Sequence, residues 1–194
     1  LTKIADADLQ LLSALPNLTA LDLSGTSITN AGLRHLGQLK FLTSLTLDQT
    51  SINDAGLAAL KQLEHLRTLS LKRTQVQGAG LANFQRAALR TLLLNNTPVT
   101  NAGLAALENL VHLQELSLTG TNITDQALDH VQGLKDLTIL NLDNTQVGDA
   151  GLAQLQSCKK LRSLNLGSTN ITDRALGQLA DLKTLEHLHL TFTM

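Results

Sequence analysis

The chain has 194 residues, with 15 Lys and Arg against 16 Asp and Glu. That near-neutral balance argues against a general nucleic-acid or membrane-surface binder, which needs a field of one sign, and no run of about 18 apolar residues is present to span a membrane. A lone cysteine, Cys158, excludes an intrachain disulfide framework; it favours a cytoplasmic or bacterial secreted chain over a disulfide-stapled eukaryotic extracellular one.

Leucine dominates the apolar residues, and Phe41, Phe84 and Phe192 are the only aromatics. A core of nearly one residue type implies a repeated layer. The pattern begins mid-unit: Thr2, Lys3 and Ile4, followed by Leu9 and Leu12, form the back half of a unit, as expected of an excised fragment. No signal peptide is visible.

From there the chain repeats itself. Leu18, Leu42, Leu66, Leu89, Leu113, Leu137, Leu161 and Leu185 mark equivalent positions, 24 residues apart except for a 23-residue step from Leu66 to Leu89. Three residues after each comes a second leucine (Leu21 to Leu188), and two further on a third (Leu23 to Leu190). The Leu-x-Leu step has period two, so it predicts a short strand with its leucines on one side.

A threonine always follows three residues later, from Thr26 and Thr50 through to Thr193. Its hydroxyl can satisfy backbone groups that a buried corner would orphan. A β-branched residue comes next (Ile28, Ile52, Val76 and so on), then a helix-capping pair such as Thr29-Asn30, Asn53-Asp54 or Thr100-Asn101. A small residue in the first turn, Gly32, Gly56 or Gly80, predicts close approach of each helix to its neighbour. Leucines three apart, such as Leu57 and Leu60, then line one helical face.

This pattern, LxxLxLxxTxITDxGLxxLxxL, covers the whole chain and resembles the leucine-rich repeat family. The 24-residue unit, with Thr where other members carry Asn or Cys, is similar to bacterial types. The resemblance implies an α/β right-handed solenoid with a parallel sheet on the concave face and short helices on the convex face. It implies one domain over residues 1–194 with about eight repeats, a half-repeat at the start, a truncated repeat at the end and no evident caps.

The residues flanking the strand leucines would then face solvent on the concave side. Arg67, Lys72, Arg73 and Arg90 converge there in two adjacent repeats, with Leu93 exposed beside them. The same place is irregular: Gln77-Gly78 replaces the capping pair, Phe84 replaces a leucine, one residue is missing before Leu89, and Pro98 enters the corner. These five residues, Arg67, Lys72, Arg73, Arg90 and Leu93, are the expected hot spots for an acidic segment of a protein partner. The alternative is a solvated face beside a worn repeat.

A second polar cluster holds Asn141, Asp143, Asn165, His187 and His189. A metal site wants three or four converging ligands, and only the two histidines converge clearly, so no metal is expected. Cys158 stands in a leucine column and reads as a buried small hydrophobe. No phosphate loop, HExxH or nucleophile elbow occurs, so neither catalysis nor a cofactor is expected. The function implied is a non-catalytic protein-interaction module binding on its concave face; the alternative is the recognition arm of a larger enzyme or effector, with catalysis outside this chain.

Overall fold

The structure is a computed structural model and describes residues 4–193; Thr2 and Lys3 of the first half-unit lie outside the described residues. Its backbone is one parallel sheet of eight three-residue strands in sequence order. They are β1 (Ala20–Asp22), β2 (Ser44–Thr46), β3 (Thr68–Ser70), β4 (Thr91–Leu93), β5 (Glu115–Ser117), β6 (Ile139–Asn141), β7 (Ser163–Asn165) and β8 (His187–His189). Register follows the repeat: Leu21, Leu45, Leu69, Leu92, Leu116, Leu140, Leu164 and Leu188 stand opposite one another along the sheet. At about 4.8 Å per strand the sheet is roughly 35 Å long.

Helical segments return the chain along the convex side, and most are 3-10 rather than α-helical. Ala79–Phe84, Ala102–Asn109 and Asp125–His130 are 3-10, while Asp54–Leu57 and Asp149–Leu155 are α. The 3-10 form rises about 2.0 Å per residue, which crosses the convex side with fewer residues.

Through the central repeats the leucine ladders, the β-branched row from Ile28 to Ile171 and the helical leucines are buried together in one continuous core, while at the ends Leu18, Leu21, Leu185 and Leu190 are only partly buried against it and Leu188 and Leu176 are exposed. Cys158 lies inside it with no exposed surface, and burial raises its thiol pKa. Phe84 fills a leucine place there. The threonine corners also behave as expected: from Thr26 to Thr169, each Oγ1 donates to the carbonyl of the leucine three residues before it, at 2.5–2.7 Å.

The capping pairs divide their labour in a way the sequence reading missed. The first residue caps its own helix: Thr29 Oγ1 accepts from Ala31 N–H and Asn53 Oδ1 from Ala55 N–H. The second reaches forward to the next repeat. Asn30 Oδ1 accepts from Asn53 N–H, Asn101 Oδ1 from Thr124 N–H, and Asp125 Oδ1 from Gly148 N–H. Asp54 does most, accepting from the N–H groups of Gln77, Gly78 and Gly80 at 2.7, 3.0 and 2.7 Å. Asp54 therefore stitches two repeats together rather than capping one. The small residues serve the same contact: a methyl on Gly80 would lie 2.8 Å from Asp54 O.

Gly78 shows why the irregular repeat needs glycine. Its φ is +114°, and a Cβ there would press on the Gly103 backbone at 2.6 Å.

Candidate binding face

The concave face is built from the side chains that alternate with the buried strand leucines. Its centre lies where β3 meets β4. Arg90 N–H donates to Arg67 O at 2.7 Å, so the two residues stand side by side immediately before β3 and β4. Both side chains are exposed, and neither forms an ion pair among the described residues. Like charges placed opposite each other across strands are destabilising, and no carboxylate among the described residues lies within ion-pair distance of either guanidinium.

The other three expected residues are placed differently. Lys72 is half-buried and its Nζ lies 4.0 Å from Asp48 Oδ2, so its charge is partly answered within the sheet. Asp48 is itself held by Ser70 Oγ and the Lys72 N–H. Leu93 is half-buried, not exposed, and stands between Ser70 and Ser117 of the neighbouring strands. Ser70 and Ser117, on the same row of the face, are buried outright. Ile139 on β6 is a large aliphatic residue that the face does expose, at 41%.

Arg73 is exposed, but its backbone is left-handed, with φ +55°. It belongs to a column that turns the chain out of the sheet toward the threonine corner: Gly25, Gln49, Arg73, Asn96, Gly120, Asn144, Ser168 and Phe192 all have φ between +52° and +68°. Glycine and asparagine accept this conformation readily, and their recurrence here was the signal available in the sequence. Arg73 therefore stands at the rim past the end of β3, whereas Arg67 stands just before its start.

At the opposite rim the short repeat leaves a notch. The residue just before each first leucine forms a column, and it holds Phe41, His65, His112, Asp136 and Lys160 in other repeats but Ala88 here. Phe41 and His65 stack, with ring centroids 6.3 Å apart and planes within 2°. Asp136 takes Lys160 Nζ at 2.6 Å and lies 3.9 Å from His112 Nδ1; the Lys160 ammonium, first by its hydrogen bond, holds the Asp136 carboxyl below its usual range. Between these pairs Ala88, Arg90, His112, Gln114 and Asp136 enclose a recess of about 220 Å³.

The histidine cluster does not close into a site. His187 and His189 are both exposed on β8, and no group of three metal-ligating side chains gathers among the described residues. No helix of the structure is long and apolar enough to cross a membrane.

Comparison with known proteins agrees with the repeat geometry. A family model described as a leucine-rich repeat matches residues 14–37, 109–129, 134–155 and 157–180. These four stretches carry leucine-rich repeats. This leucine-rich repeat protein is similar to an internalin (inlF) from Listeria monocytogenes, with 26% identity and a TM-score of 0.80 over 96% of this chain and 52% of that one. It is also similar to an internalin C2 (inlC2) from the same organism, with 28% identity and a TM-score of 0.77 over 98% of this chain and 77% of that one. The leucine-rich repeat chain thus spans about half the length of the first of these bacterial structures. No curated protein matches it.

Proposed function

We propose that this leucine-rich repeat chain is a non-catalytic module that binds an acidic segment of a protein partner on its concave face. The leucine-rich repeat matches and the similar bacterial structures support a protein–protein interaction module. The observation that carries the finer reading is the Arg67–Arg90 pair: two exposed, adjacent guanidinium groups with no acidic partner among the described residues. Arginine's planar fork matches a carboxylate bidentately, and both residues rise from a rigid sheet that holds them in place. Lys72 and Arg73, just past the end of β3, add further positive charge, that of Lys72 partly answered by Asp48 and that of Arg73 at the far rim.

The scarcity of aromatics shapes the expected contact. Trp and Tyr supply the usual anchors, and the concave strands carry neither. The interaction is therefore polar and salt-dependent. The test is a double reversal, Arg67→Glu with Arg90→Glu, in pull-downs from the native cell. The variant keeps the wild-type circular dichroism and loses the partners that the wild type retains. An unchanged set of retained proteins would remove the central patch from consideration.

A further inference from the structure

Every repeat but one fills the rim position before its first leucine with a residue larger than alanine, and the exception stands next to an arginine that forms no ion pair among the described residues. In the regular unit five residues separate Leu60 from Leu66; in the short one only four, Gln85 to Ala88, separate Phe84 from Leu89. The Ala87 N–H still bonds to Phe84 O at 2.9 Å, as the Leu63 N–H does to Leu60 O. The missing residue is thus the outer one, matching Lys40 or Glu64, and the rim is left with a methyl group. The recess of about 220 Å³ opens over it.

Its lining sorts by charge. Asp136 is the single acid, and Lys160 and His112 already lie against it, at 2.6 and 3.9 Å. Arg90 is the cation left over, and Gln114 adds an amide that can donate. Arg67 stands one strand away on the side facing the concave sheet. A pocket with an unanswered guanidinium, a neutral donor and a methyl floor is complementary to a carboxylate on a short aliphatic stem.

We propose that the notch receives an acidic side chain of the protein partner, with Arg90 as its anchor and Gln114 and His112 beside it. This rests on the concave-face reading above and gives it a specific pocket. On this view the deleted residue is a built feature: Ala88 makes room that Phe41 or His65 would occupy.

The test uses a fluorescein-labelled octaglutamate peptide, followed by anisotropy at low salt with the whole chain. Ala88→Phe is the decisive variant, because it alters no charge and restores a residue that the same column carries exposed at Phe41. Ala88→Phe and Arg90→Gln should each weaken binding about tenfold or more, while Arg174→Gln, remote from the notch on the convex side, leaves it unchanged. If Ala88→Phe binds as the wild type does while the Arg67→Glu, Arg90→Glu double variant fails, the pocket is overturned and the charged face survives. If the peptide ignores the wild type, or binds every variant alike, both readings fail. Inorganic phosphate that displaces the peptide at micromolar concentration would reassign the notch to phosphate and overturn the proposal.

Discussion

Replacing Asp54 with alanine should open the seam between two repeats. One carboxylate accepts three backbone N–H groups from the next unit, those of Gln77, Gly78 and Gly80. Gly78 and Gly80 are buried, whereas Gln77 is exposed and can turn to water. Orphaning a buried donor costs about 1–3 kcal/mol. Two such donors, with the third rehydrated, give a loss of about 3 kcal/mol, equivalent to a fall in Tm of roughly 6–12 °C for a chain of this size. Asp54→Asn should cost about half as much, because Asn30 and Asn101 occupy the same column and each still accepts a backbone N–H from the following repeat. Asp129, exposed on the convex side, provides the control, with an expected effect of Asp129→Ala within about 0.5 kcal/mol. Urea denaturation followed by circular dichroism measures all three. If Asp54→Ala is no more destabilising than Asp129→Ala, the inter-repeat stitch contributes nothing and the reasoning is refuted.

Other perturbations test other layers. Leu116→Asp buries an unpaired charge in the fully enclosed centre of the strand ladder, so the variant should lack the wild-type circular dichroism and cooperative melt; a native-like melt would contradict the register. Arg73→Gly relieves a left-handed non-glycine residue at φ +55° and should stabilise the chain by about 0.5–1 kcal/mol, read as a raised urea midpoint. Acid should weaken the fold through the inter-repeat aspartates. The Thr172 hydroxyl and then its N–H hold the Asp149 carboxyl below its usual range. A carboxylate with a lowered folded pKa stabilises above its unfolded value, about pH 4, and loses that contribution as pH falls through the folded value. Asp149→Asn should therefore lose less stability than the wild type between pH 4 and pH 2, and equal losses would exclude Asp149 as a source of acid sensitivity.

The layered core was legible because the leucine and threonine columns repeat in register and each position has one physical job. Leu45 must be buried and Thr50 must satisfy a corner carbonyl, and both do so. Asp54 was harder to read. An aspartate before a helix looks the same whether it caps that helix or reaches to the next repeat, and only the stacking distance decides. The left-handed column was visible in Gly25, Asn96, Gly120 and Asn144, yet Arg73 within it looked like one more concave cation. Lys72 and Leu93 misled for a related reason. Which way Lys72 extends depends on Asp48 in the preceding repeat, and the burial of Leu93 depends on its neighbours' side chains. The missing residue before Leu89 was plain in the sequence. That it opens a recess beside Arg90 follows only from the positions of His112, Gln114 and Asp136 around it.

The most direct test of the concave-face account is to map amide chemical shifts of the nitrogen-15-labelled chain as octaglutamate is added. The account predicts that the perturbed amides centre on Arg67, Ala88, Arg90, His112 and Gln114. Shifts gathered instead at the exposed Lys159 and Lys183 of the later repeats, with the β3–β4 amides unmoved, would contradict it.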